Sequence, residues 1–318
     1  MNESSKIACV TGASGMVGRR IVAQLAEEGY QVRTLVRLNR VVRNDIDIYY
    51  GGLENEDVLE DFVAGADYLY HCAAELWDES KMWEVNVNGT RNLVRATKKS
   101  TIQKFVYLSS AGVIGIAKDK LVDENSPCNP LSLYEKTKWE AERLVNRGIE
   151  GCSVVILRPT NVVDSSQFGI LESAISNTLT KKLINYLRGG ECAHMVNAID
   201  VARAALHFSR FHFDSPSCYF VSLDDDPLNT FAGINGIYEA VINHKPISTV
   251  EHKNSIPLFI PYMLRKLRRG QSNWGDVKYS AQKLKSMGFE FSTNTITSVC
   301  NLLSSNTEHS ANISKAEI

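Results

Sequence analysis

The feature that most limits what this chain can become lies near its start. There Ile7-Ala8-Cys9-Val10 runs directly into Thr11-Gly12-Ala13-Ser14-Gly15-Met16-Val17-Gly18. A buried strand, a glycine turn and a helix that begins inside the turn make a unit with few uses. Glycine permits the tight turn, lets bare backbone approach a pyrophosphate and lets the helix pack closely on the strand. The helix N-terminus adds N–H donors and a partial positive charge. The placement after a strand, more than the glycines themselves, predicts a dinucleotide site built from Gly12, Ser14, Gly15, Met16, Val17 and Gly18.

The rhythm of strand and helix continues along the chain. Val32–Val36, Ile46–Tyr50, Tyr68–Tyr70, Phe105–Leu108 and Val154–Leu157 read as strands, with helices over about residues 15–29 and centred near 60, 90 and 140. Near-continuous apolar strands suit a parallel sheet covered on both faces. The expectation is an α/β protein with a Rossmann-type, doubly wound parallel sheet over residues 1–165. Residues 197–222 return to it through a helix at Asp200–Phe208 and a late strand at Tyr219–Val221. Residues 166–303 read as a smaller, mostly helical substrate-binding region, and the polar, aperiodic 304–318 as a disordered tail.

Composition excludes several classes. With 35 Lys+Arg against 36 Asp+Glu scattered along 318 residues, there is no electrostatic footprint for nucleic acid. A 44% apolar chain of this length builds a core without metal or disulfide support. Seven cysteines, an odd number with no C-x-x-C spacing, read as free thiols in a reducing compartment, and no metal site is expected. No basic-then-apolar leader and no membrane-length apolar run is visible, so a cytoplasmic location is expected. Ile256–Leu264 runs into the basic cluster Arg265–Arg269. A helix packed on its own domain, with cations at its C-terminal end, is the favoured reading. A phosphorylated substrate comes second, and contact with an anionic membrane is not expected.

About twenty residues past the glycine turn, where the adenosine ribose would sit, stands Leu35-Val36-Arg37. An acid there would accept from a free 2′-hydroxyl, whereas a guanidinium binds a 2′-phosphate. Arg37 therefore predicts NADP(H), with NAD the alternative and Arg33, Arg40 and Arg43 as helpers. Further on, Tyr134 and Lys138 lie four apart on one predicted helix face, so an ammonium can sit beside a phenol and bring it closer to working pH. Ser109 and Ser110 follow a predicted strand at its C-terminal end, where ligands of such sheets bind.

Together these motifs resemble the extended short-chain dehydrogenase/reductases, the group that includes nucleotide-sugar epimerases, dehydratases and 4-keto reductases, dihydroflavonol reductases and 3β-hydroxysteroid dehydrogenases. The resemblance spans roughly residues 6–303. It adds His71-Cys72-Ala73-Ala74, Asn86-Val87-Asn88-Gly89-Thr90 with Asn92, Arg158-Pro159-Thr160-Asn161 and Ile199-Asp200-Val201-Ala202 to the motifs above. It implies Tyr134 as general acid/base, Lys138 as the residue that tunes it and holds the nicotinamide ribose, and Ser110 as the hydroxyl that fixes the reacting oxygen, with Ser109 the fallback. Leu53, Ala73, Ala74 and Pro159 join the cofactor site, Asn86 starts the helix lining the catalytic side, and Asn161 contacts substrate. Asp200 reads as a helix cap. Gly51-Gly52-Leu53 lacks the acid common in the family at that turn. Ser110-Ala111-Gly112 lacks the acidic pair of the dehydratases, so water elimination has no evident catalyst.

Reduction by a diffusible NADPH suits Arg37 better than epimerisation on a retained NAD. The substrate expected first is a 4-keto-6-deoxy nucleotide sugar, with Lys181, Lys182, Arg188 and Arg265–Arg269 available for its diphosphate. A nucleotide-sugar epimerase, a flavonoid- or steroid-like ketone reductase and an NADP(H)-binding redox sensor are the alternatives. A homodimer through helices near 80–98 and 134–146 is expected.

Overall fold

A computed structural model of the chain describes residues 6–37, 46–165, 178–247 and 256–304. Arg40, Arg43 and the tail after Ser304 lie outside the described residues, as do the side chains of Lys181 and Arg269. In chain order the named elements are β1 (Ile7–Thr11), α1 (Met16–Glu27), β2 (Gln31–Val36), β3 (Asp47–Tyr50), α2 (Glu56–Val63), β4 (Tyr68–His71), α3 (Glu79–Met82), a π-helical turn (Trp83–Asn88), α4 (Gly89–Lys98), β5 (Lys104–Leu108), β6 (Leu121–Val122) and α5 (Leu133–Val145). They continue with β7 (Ser153–Pro159), β8 (Asn161–Val163), α6 (Leu179–Arg188), β9 (Met195–Asn197), α7 (Ala198–His207), β10 (Ser217–Val221), α8 (Phe231–Ile242), α9 (Phe259–Arg269), β11 (Lys278–Tyr279) and α10 (Gln282–Ser286).

Seven strands form one sheet in the order β10-β7-β5-β4-β1-β2-β3, and the pairs from β3 through β7 are parallel. This is the doubly wound α/β arrangement expected. The chain winds one way from β1 to β3 and the other way from β4 onward, which puts the switch point at the C-terminal ends of β1 and β4. The apolar runs explain the sheet: β7 is buried along its whole length, as is β4. Helix α1 buries Val17, Ile21 and Leu25, four apart, and ends before Gly29 at φ 81°. Leu59 and Phe62 of α2, Leu93 of α4 and Ala141 and Val145 of α5 share one core with Leu69, Phe105 and Ile156 of the sheet.

The described chain divides into two compact units. Residues 1–115, 128–159 and 201–219 form the first, and 116–127, 160–200 and 220–318 form the second. The second has its own core of Val163, Met195, Phe231, Ile234, Ile237 and Val299. Its regular structure is mostly helical, and it also holds two small parallel ladders, β8 with β9 and β6 with β11. Strands of two or three residues are too short to show a period. Asp200 lies in the first turn of α7, fully buried, and its carboxylate accepts from the backbone N–H and hydroxyl of both Ser292 and Thr293.

Candidate active site

The glycine turn has the geometry its sequence predicts. Gly12 adopts φ 69°, and a Cβ there would stand 2.6 Å from the Ala73 nitrogen, so the turn presses against the end of β4. A Cβ on Gly18 would stand 2.2 Å from the Gly12 carbonyl oxygen. Helix α1 starts at Gly15 with no side-chain cap and no acid in its first turn, while Ser14 and Gly15 are exposed. Its first N–H groups therefore lack intrahelical partners and face no competing carboxylate, which fits a pyrophosphate. Arg37 is exposed just past the end of β2, where its charge acts on Glu75 and Lys81. Arg33 is engaged elsewhere: its guanidinium donates to the carbonyls of Phe62 and Ala64 and covers the Tyr49 ring. Leu53 is buried and its carbonyl accepts from Asn92.

The catalytic candidates belong to the first unit. Helix α5 is nucleated by a capping box, in which Ser132 Oγ accepts from the Glu135 N–H and the Glu135 carboxylate accepts from the Ser132 N–H. This puts Tyr134 in the first turn and Lys138 one turn further, on the same face. Ser110 caps a short 3-10 turn, Ala111–Ile114, that continues from β5, its Oγ accepting from the Gly112 N–H. Burial pushes the Tyr134 phenol up to about 12, and a hydrogen bond with Ser110 works in the opposite direction. Ser110 and Tyr134 are thus brought together. Ser109 is used differently: buried, it donates to Glu142 Oε2 at 2.5 Å, which leaves Ser110 as the hydroxyl beside the phenol.

Lys138 is almost fully buried, and burial lowers its ammonium to about 7. Its Nζ donates to the Leu108 carbonyl at 2.7 Å and lies 4.4 Å from the centre of the Tyr107 ring. The Tyr134 phenol is raised by burial and by the charge of Glu135, and lowered by Ser110.

Two buried networks that the sequence reading missed hold these groups in place. Glu142, eight residues past Tyr134 on α5, pairs with Arg158 of β7 and with Ser109. Asn86 lies within the π-helical turn rather than at a helix start. It donates to the Glu75 carbonyl and to Thr137 Oγ1, and accepts from the Glu75 N–H. Thr137 in turn donates to the Tyr134 carbonyl. His71 is fully buried, and burial lowers it to about 3, so it is neutral. Thr90 Oγ1 donates to the Asn86 carbonyl, so it accepts from His71 Nε2–H; Nδ1 is then the acceptor for Thr11 Oγ1–H, 2.7 Å away. The Ala73 N–H donates to the same Thr11 oxygen, and the chain of donors has one consistent direction.

Asn161 belongs to the second unit, where its side-chain amide donates to the Ala193 carbonyl. Arg188 and Arg265, two of the cations expected to meet a diphosphate, both pair with the buried Glu191. Also in that unit, Cys192, His194 and Asp224 bring ligand-type atoms within 4.8 Å of one another. The His194 ring, which burial alone would lower, is raised to about 10 by Asp224 and Cys192 and forms an internal ion pair with Asp224.

Residues 8–218 match the NAD dependent epimerase/dehydratase family. The chain belongs to that family. A 3 beta-hydroxysteroid dehydrogenase/Delta 5-->4-isomerase of Mycobacterium tuberculosis is 28% identical over 254 residues, 73% of this chain and 68% of that protein. An Escherichia coli O157:H7 protein named as an N-acetyl-alpha-D-glucosaminyl-diphospho-ditrans,octacis-undecaprenol 4-epimerase is 32% identical over 157 residues, 47% of this chain and 46% of that protein. The chain spans about half the length of several curated relatives it matches, 48% and 52% in two further cases. The crystal structure of a UDP-glucose 4-epimerase with UDP-glucose from Thermotoga maritima superposes with a TM-score of 0.68 at 18% identity, over 95% of this chain and 99% of that one. At that identity the likeness is one of fold. The family's members use NAD(P), and Gly12, Ser14, Gly15 and Gly18 supply the turn and helix end that such a cofactor requires.

Proposed function

We propose that this family member is an NADP(H)-dependent ketone reductase in which Tyr134 is the proton donor. The observation that carries the reading is the meeting of the Ser110 and Tyr134 hydroxyls at the carboxyl edge of the sheet, with Lys138 one turn along. When bound, the dinucleotide supplies the hydride. Ser110 Oγ orients the substrate oxygen, and Tyr134, kept protonated by burial, gives its phenolic proton to that oxygen as the carbonyl becomes a carbinol. Lys138, when charged, stabilises the phenolate left behind and holds the nicotinamide ribose. Met16 and Val17 contribute backbone at the helix end, while Ala73, Ala74, Leu53 and Pro159 line the cofactor site. Arg37 receives the 2′-phosphate.

A 4-keto-6-deoxy sugar carried on a nucleotide diphosphate is the substrate placed first. The Escherichia coli relative, named for a diphosphate-linked sugar, supports a glycosyl diphosphate. A steroid-like ketone is the second reading, supported by the Mycobacterium tuberculosis relative, whose match extends over 73% of this chain. The same reading expects a cytoplasmic homodimer. The test is consumption of NADPH by the purified protein with a panel of keto nucleotide sugars and polycyclic ketones, repeated on Tyr134→Phe. Turnover with one class and its loss in the variant are expected. NADP(H) binding without turnover on any member would overturn the reductase reading in favour of a redox sensor. Interconversion of sugar epimers without net NADPH use would make it an epimerase.

A further inference from the structure

The basic cluster after residue 264 divides in an informative way. Arg265 is turned inward, to Glu191, Ser272 and the Asn273 carbonyl. Lys266 and Arg268 are exposed, and beside them stands apolar surface that a helix packed on its own domain would cover. On α9, Phe259, Leu264 and Leu267 are exposed, Leu267 by 79%. On α6, which touches α9, Leu179 is 86% exposed, and Leu183 and Tyr186 continue the same face at helical spacing. Lys182 lies on that face between them. The ten residues of α6 and eleven of α9 carry seven Lys or Arg and no Asp or Glu, in a chain whose 35 Lys+Arg and 36 Asp+Glu nearly balance as a whole. Next to α9, Tyr262 stacks on the half-exposed Trp274 at 4.2 Å between ring centres. Amphipathic aromatics of this kind favour the boundary between headgroups and acyl chains.

From this we infer that α6 and α9 together form a docking face for an anionic bilayer surface. Apolar side chains flanked by cations, with acids absent, match a lipid interface on both counts: leucines enter the acyl boundary while Lys182, Lys266 and Arg268 meet lipid phosphates. A second copy docked through the same face would need an acidic counterpart there, and neither helix offers one. No described helix is long and apolar enough to cross a membrane, so the contact is peripheral.

The experiment is flotation of the full chain with vesicles of phosphatidylcholine alone and of phosphatidylcholine with phosphatidylglycerol. The wild-type chain should float with the anionic vesicles and be released by high salt. Leu264→Glu with Leu267→Glu, and separately Lys266→Glu with Arg268→Glu, should each reduce vesicle binding about tenfold or more while thermal melts stay at the wild-type value. Leu264 and Leu267 have no part in the reductase site, so NADPH-dependent turnover of the leucine variant should be unaffected. No flotation of the wild-type chain, or equal flotation of both variants, would overturn the inference. So would a wild-type dimer that the leucine variant dissociates with no lipid bound, since the face would then join two copies of this chain.

Discussion

Arg158 and Glu142 form a two-point ion pair inside the first unit, Nη2 to Oε1 at 2.5 Å and Nε to Oε2 at 3.1 Å, with both side chains at most 5% exposed. The pair ties β7 to α5, and through Ser109 it also ties in the end of β5, so it fixes the scaffold from which Ser110 and Tyr134 project. Removing one partner leaves a buried charge unanswered, which typically costs about 3–5 kcal/mol. Arg158→Met should therefore lower Tm sharply. Arg158→Met with Glu142→Leu should recover much of the loss, because the orphaned carboxylate is gone. Denaturant unfolding of the three proteins checks this.

The hydrogen bond with Ser110 opposes the upward push that burial exerts on the Tyr134 phenol. Ser110→Ala should thus move the rising limb of the pH–rate profile, measured in the direction of alcohol oxidation where the phenolate is the base, to higher pH, since the phenol then ionises later. Tyr134→Phe should lower kcat by about 10²–10⁴, the range for loss of a positioned acid or base, with NADPH affinity little changed. Steady-state rates across pH with both variants decide it.

What the sequence made legible follows from distance along the chain and from burial. The sheet could be read because β1, β4 and β7 are near-continuous apolar runs, and the Tyr134–Lys138 pairing because it is local to one helix. Glu142 could not, because a glutamate on a helix ordinarily faces water. Its reason for burial, Arg158, stands sixteen residues away across a strand. The β6–β11 ladder was equally hidden, joining Leu121 to Lys278 with two residues on each side. Phe259, Met263 and Leu267 show the spacing of a core-facing stripe, and nothing in that spacing says that the stripe points outward. The π-helical turn at Asn86 was hidden too, since the pattern on either side is that of an ordinary helix.

Arg37 is exposed at the end of β2, where a guanidinium offers paired donors to a 2′-phosphate. Arg37→Asp should reduce kcat/KM for NADPH by about ten- to a hundredfold, the worth of about 1.5–3 kcal/mol for a charge-assisted hydrogen bond, and improve that for NADH. Equal rates with the two cofactors in both proteins would remove the basis for NADP(H).

Gly18 leaves no room for a side chain. A Cβ there would meet the Gly12 carbonyl oxygen at 2.2 Å, and backbone on the far side cannot swing away as a flexible side chain would. Gly18→Ala should open the contact between turn and helix, costing about 1–3 kcal/mol of stability, and should weaken dinucleotide binding more than it changes kcat. Ser14→Ala, an exposed position, serves as the control with little effect on Tm. Thermal melts with and without NADPH separate the two effects.

His71 makes stability depend on acid in a way that can be isolated. Folded, its imidazole is held near 3 by burial, while unfolded it titrates near its ordinary 6.5. Between those values the unfolded chain binds a proton that the folded chain refuses. This group's contribution is therefore intact above about pH 6.5 and is lost as pH falls below it, at about 1.4 kcal/mol per pH unit. Other groups titrate in the same range, so the useful quantity is the difference between the native chain and His71→Asn. The native chain should be the more stable at pH 7, where its donor chain from Ala73 through Thr11 and His71 to Asn86 is complete. That advantage should shrink by about 2 kcal/mol on going to pH 5, as measured by urea unfolding at each pH. A difference that stays constant with pH would mean that the ring can accept a proton in place, and the neutral tautomer assigned from Thr90 and Thr11 would be wrong.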